Sequence, residues 1–173
     1  TLHYHQAEWR DHIDKILQTQ LTNIYNHINA QEEEIEMAAR LLAQAVGSEG
    51  EIHLQTFHDF RGIEPFLLTG SLALPKTRSF DSPEAVDAPD RVLVLANQFD
   101  EEVKSAITAL QDAGKEFVLV SNYNKHEAEL MDIISICHPR VPSYRRRIST
   151  KLLTLISLHS YTSMIICLSL SMK

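Results

Sequence analysis

With 173 residues, 16 Lys and Arg against 23 Asp and Glu, and a net charge of −7, the chain is long enough for one α/β domain with a substantial core and too short for two ordinary ones. Its acidic body argues against nucleic acid as the main partner, because neutralising phosphates requires a basic surface. Cys137 and Cys167 form no CxxC pair, so neither a disulfide framework nor a zinc knuckle is indicated.

The opening TLHYHQAEW shows no cationic start followed by an apolar run. No signal peptide is expected, and a reduced, cytoplasmic setting follows as the expectation. From Glu8, the apolar residues Trp9, Ile13, Ile16, Leu17, Leu21, Ile24 and Ile28 step by three and four, which predicts a long amphipathic helix within residues 1–30. Such a stripe is exposed unless something covers it, so this helix is the candidate oligomerisation element of a homodimer or higher homo-oligomer. A second helix is predicted from Gln31 or Glu32. It has a carboxylate-rich first turn, places Ile35, Ala38, Ala39, Leu42 and Val46 on one side, and closes at Gly47.

Glu51 to Gln55 reads as a short strand, Asp59 to Thr69 as a helix ended by Gly70, and Leu72 to Leu74 as a short strand stopped by Pro75. Lys76 to Pro89 reads mostly as loop with one short helical turn. The most informative stretch runs from Asp90 to Asn122. Arg91 to Ala96 is a nearly continuous apolar run, as a strand covered on both faces requires. Asp100, Glu101 and Glu102 place negative charge on a helix N-terminus, Val103, Ile107 and Leu110 recur at helical spacing, Gly114 ends the helix, and Glu116 to Val120 begins the next strand. Joined by a right-handed crossover, these strands are parallel, and the functional loop falls at the carboxyl end of the first, at Ala96 to Phe99.

Lys125 to Met131 is a short helix candidate and Ile133 to Cys137 a short strand. Every acidic residue lies at or before Asp132, whereas six basic residues and no acid occupy 133–173. The basic, acid-free segment 139–173 is open to three readings: a core helix, a membrane anchor or a divergent tail. Its Ser and Thr content and His159 dilute the apolar run between Lys151 and Lys173, which favours the packed helix over the anchor.

The order of elements resembles the SIS family, the sugar isomerase fold that includes phosphoheptose isomerase. The resemblance rests on IEMAARLLAQAVGSEGEIHLQTF (Ile35 to Phe57), LLTG (Leu67 to Gly70) and DRVLVLANQFDEEVKSAITALQDAGKEFVLVSN (Asp90 to Asn122). It implies a single SIS-like domain over residues 1–173, built as a three-layer α/β/α sandwich with a parallel sheet and a long N-terminal helix, that binds a sugar phosphate or related carbohydrate derivative and extends to isomerase activity. Members of that family hold the phosphate with G-x-G-S and S-x-S-G type loops, where small residues let an anion approach backbone N–H groups. The corresponding loops here read Thr56-Phe57-His58-Asp59 and Ala96-Asn97-Gln98-Phe99. Both lack glycine, and Asp59 puts a carboxylate where an anion would sit, although Thr56, His58, Asn97 and Gln98 still offer polar groups at the same rim.

Phosphoheptose isomerases carry a catalytic carboxylate on the helix leading into the glycine of LLTG, at positions filled here by Phe66 and Leu67. Glu64 is the carboxylate nearest in sequence, and His159 on the last predicted helix is the histidine that could assist it. They form the candidate acid/base pair for moving a proton between adjacent carbons. The bland reading stands beside it: Glu64 as a solvated helix residue and His159 as a hydrogen-bonded core histidine. His58 and Asp59 lack a third ligand, so no metal and no cofactor are expected. The competing functional class is a non-catalytic regulatory or scaffold protein that keeps the fold after losing its phosphate loops.

Overall fold

The apolar runs Val92 to Leu95 and Phe117 to Val120 become strands buried on both faces, with an amphipathic helix between them. The computed structural model describes residues 15–16, 18–23, 25–26, 28–70, 73–121 and 134–137, the last four by their backbone. The elements are helix α1 (Glu32–Gly47), strand β1 (Ile52–Thr56), a 3-10 helix (His58–Gly62), α2 (Glu64–Thr69), β2 (Thr77–Ser79), a 3-10 turn (Pro83–Ala85), β3 (Arg91–Leu95), α3 (Glu101–Asp112), β4 (Phe117–Ser121) and β5 (Ile134–Cys137). Before α1, every described residue from 15 to 29 has helical backbone. Trp9, Ile13, Leu17 and Ile24, on which the expected long N-terminal helix also rests, lie outside the described residues, as does the helix expected over Lys125 to Met131.

All strand pairings are parallel, in the order β2-β1-β3-β4-β5. Leu54 stands opposite Leu93, and Leu93 opposite Val118. This row joins Ile35, Ala38, Ala39, Leu42 and Ala45 of α1 and Leu67 of α2 in one apolar core. The alternate residues, Val92, Val94, Phe117 and Leu119, form a second core with Val103, Ile107 and Leu110 of α3. Because strand side chains alternate between faces, the two cores lie on opposite sides of the sheet. The domain is therefore α/β with helices on both faces of a parallel sheet. Full burial of one Leu or Val in either core contributes about 1.5–3 kcal/mol.

A polar knot closes the amino-terminal edge of the sheet. Asp90, just before β3, accepts the Glu51 N–H at 2.8 Å and the Asp87 N–H at 2.9 Å, and lies 3.1 Å from Nε2 of the fully buried His53. Burial acts to raise its pKa, but the two backbone N–H groups and His53 outweigh it and hold the carboxyl below the usual aspartate value. Gly50 passes so close to the Pro89 carbonyl that a Cβ there would overlap it. Only glycine lets β1 start against the turn that carries Asp90.

Three expectations need correction. The helix expected over Asp59 to Thr69 divides into a 3-10 helix and α2, because Pro65 has no N–H for the preceding turn and instead fits a helix start. The strand expected at Leu72 to Leu74 is not formed at the described Ala73 and Leu74; β2 lies beyond Pro75, inside the stretch expected to be loop. The strands β1, β3 and β4 are placed within a residue of their expected positions. Among the described residues no helix is long and apolar enough to cross a membrane.

Candidate functional site at the carboxyl ends of β1 and β3

From β1 the chain moves outward to β2 and then returns to β3 on the other side of β1. In an open parallel sheet this reversal of direction leaves a crevice at the carboxyl ends of the two strands, because the helices that follow them go to opposite faces. That is the arrangement here: Leu67 of α2 packs in one core and Val103 of α3 in the other.

The two loops bordering the crevice are tied together. Phe57 N–H donates to the Leu95 carbonyl at 2.9 Å, which extends the β1–β3 pairing by one residue. His58 follows with φ 52°, a left-handed conformation uncommon for a residue with a Cβ, and this turns its ring toward the other loop. Its Nε2 lies 2.8 Å from Asp100 Oδ2. Asp100 is also the N-cap of α3, with Oδ1 accepting the Val103 N–H at 3.2 Å. That N–H, followed by the contact with His58, lowers the Asp100 pKa against the opposing effect of desolvation. Asn97 donates its side-chain amide to Asp59 at 2.9 Å, and Arg61 donates to Glu102 at 2.6 Å.

Glu64, at the start of α2, accepts the Thr56 hydroxyl on one oxygen and the Ser79 hydroxyl at 2.6 Å on the other. The structure thus brings Glu64 to the carboxyl ends of β1 and β2, beside Thr56. Thr56, His58, Asp59 and Asn97 border the crevice, whereas Gln98 is exposed at the turn. His159, the expected partner of Glu64, lies outside the described residues. Asp100, Glu102 and Ser79 were not singled out for the site in the sequence, although Asp100 was legible as a helix start.

The site is rich in acceptors. Asp59, Asp100 and Glu64 present carboxylates, and Asp100 fills the helix N-terminus that an anion would otherwise occupy. His58, Asp100 and Glu102 bring potential metal-ligating atoms within 4.8 Å of one another. Two features oppose a cation there: Arg61 already pairs with Glu102, and the group stands on the positive end of α3. The side chains fit a hydrogen-bonded clamp between loops better than a metal centre.

Fold and crevice define a parallel α/β domain with a polar cleft at the point where strand order reverses. A model of a protein family, described as a domain of unknown function (DUF2529), matches residues 13–141, and the chain belongs to that family. It is also similar to the uncharacterized protein YwjG of Bacillus subtilis (strain 168), with 36% identity over 85 residues, covering 48% of this chain and 49% of that protein. The chain thus spans about half the length of the curated relative it matches. This family corrects the assignment to the SIS family suggested by the order of elements. The cause of the error is physical: alternating buried strands and amphipathic helices are common to parallel α/β domains, and the glycine-rich loops that would have been specific are absent from this sequence.

Proposed function

We propose that this domain binds a small, hydroxyl-rich carbohydrate derivative in the crevice between the β1 and β3 loops. The observation that carries the reading is the convergence of Thr56, His58, Asp59, Asn97 and Asp100 at the point of strand reversal, where open parallel sheets hold their ligands. Carboxylates and an amide are the groups that accept and orient sugar hydroxyls. A phosphorylated sugar is the weaker ligand of the class, because Asp59 and Asp100 repel its anionic end.

Isomerase chemistry is the further reach of the same proposal, with Glu64 as the base that takes a proton from carbon and His159 as its assistant. Two hydroxyl donors hold the Glu64 carboxylate in place, which is what a positioned base requires. A second reading, a regulatory or scaffold domain without turnover, draws on the three contacts that tie the loops across the cleft: Asp59 with Asn97, His58 with Asp100 and Arg61 with Glu102. Homodimerisation through the N-terminal helix belongs to both readings and is supported by Ile16 and Tyr25, each 44% exposed.

A melting screen with D-glucose, D-glucosamine and D-glucose 6-phosphate tests the proposal. A ligand at a hundredfold excess over its Kd adds about 2.7 kcal/mol of stability. A larger shift with the unphosphorylated sugars is expected. No shift with any of the three would favour the scaffold reading.

A further inference from the structure

Three side chains of one short segment cross the cleft. From the 3-10 helix after β1, His58 meets Asp100 at 2.8 Å, Asp59 accepts from Asn97 at 2.9 Å, and Arg61 donates to Glu102 at 2.6 Å. All three partners lie between the end of β3 and the first turn of α3. The backbone of the segment is pinned on both sides of the sheet, because Phe57 is buried in the core on the α3 side and Phe60 in the core on the α1 side. The contacts therefore open by side-chain rotation and not by displacement of the loop.

They differ in how firmly they hold. Arg61 and Glu102 are 61% and 54% exposed, and an ion pair so open to water contributes little and is screened by salt. His58 and Asp100 are more covered, and Asp100 is fixed as well by capping α3. The Arg61–Glu102 contact is thus the one most readily released. Asp59, Asn97 and Asp100 are groups that the carbohydrate-binding reading offers to a sugar, and in the free protein each is engaged across the cleft. A ligand hydroxyl must displace a contact already made, so its apparent affinity falls with the fraction of molecules in which that contact is open. We propose that His58, Asp59 and Arg61 form an autoinhibitory strap across the cleft, with the Arg61–Glu102 pair as its latch. This rests on the carbohydrate-binding reading above and adds regulation to it, since whatever draws Arg61 away from Glu102 admits the ligand.

The test is Arg61→Ala, which removes the latch without removing a proposed ligand contact, titrated with D-glucose by calorimetry. D-glucose is uncharged, so salt acts on the latch and not on the probe. Binding should tighten about threefold in the variant, the change expected from releasing one exposed ion pair. Raising the salt to about 0.5 M should tighten binding by the wild type and change the variant less, because screening acts on a pair that the variant lacks. Glu102→Gln, which keeps the side-chain volume, should behave alike and carries the test where Arg61→Ala fails to fold. Unchanged or weaker binding in both variants, with the wild type binding the sugar, would overturn the strap and leave the carbohydrate site standing. Binding by the variants alone would support the strap in its strongest form. Failure of the wild type and both variants to bind would instead remove the carbohydrate reading and the strap with it.

Discussion

Asn97 and Asp59 are separated by thirty-eight positions in the chain, yet the amide of one donates to the carboxylate of the other at 2.9 Å. The contact joins the loop after β1 to the loop after β3 and fixes both functional groups: Asp59 is turned across the cleft, and Asn97 keeps its oxygen and one amide hydrogen. A carboxylate held there is the acceptor that the proposed carbohydrate ligand would meet.

Replacing Asp59 by Ser removes the negative charge from the first turn of the 3-10 helix and supplies a hydroxyl donor. Affinity for D-glucose 6-phosphate should rise about tenfold, or about 1.4 kcal/mol, by titration calorimetry. Tighter binding of D-glucose 6-phosphate by the wild type would show that Asp59 does not repel the phosphate.

Asp90 contributes to the acid limb of stability. Its folded pKa is depressed, so its contribution is fully present above the unfolded value of about 3.9 and is lost as pH falls through the lower folded value. Urea denaturation between pH 7 and pH 2.5 should show this loss. Asp90→Asn should cost about 1–3 kcal/mol at pH 7 and flatten the acid limb, because a neutral amide cannot titrate and is a poorer acceptor for the Glu51 and Asp87 N–H groups.

Gly50→Ala tests the same edge from the backbone side. The added Cβ overlaps the Pro89 carbonyl, an atom that cannot rotate away, so β1 and the Asp90 turn must separate. A loss of about 1–3 kcal/mol is expected in denaturant titrations. An unchanged midpoint would mean that the two backbones are further apart than described.

Glu64 and Thr56 should be coupled. In a double-mutant cycle with Glu64→Gln and Thr56→Val, the interaction energy should be about 1–2 kcal/mol, as for a hydrogen bond to a charged acceptor that is partly buried. A coupling near zero would mean that Glu64 is turned to solvent in solution, and would remove it as a positioned base.

The assembly proposal is tested outside the described residues. Ile13→Asp combined with Leu17→Asp should place charges in an apolar contact and lower the apparent mass in size-exclusion chromatography. Unchanged size and melting temperature would show that the stripe is simply exposed.

Local chemistry made α3 and its flanking strands legible in the sequence. Asp100 caps the helix, Val103, Ile107 and Leu110 face the sheet, and Gly114 takes the left-handed turn with φ 65°, all within a span of fifteen residues. β2 was not legible, because a three-residue edge strand made of Thr77, Arg78 and Ser79 is only partly covered and carries no apolar pattern. The break at Pro65 was available in the sequence, because a proline lacks the N–H that a continuing helix needs. Tertiary structure alone decided which loops meet. Strand order is set by packing between distant segments, so the pairs Asp59 with Asn97, His58 with Asp100 and His53 with Asp90 have no signature in local periodicity. Ser121 looks in the sequence like any polar residue closing an apolar run. Only its zero exposure distinguishes it, with a hydroxyl that has no partner among the described residues.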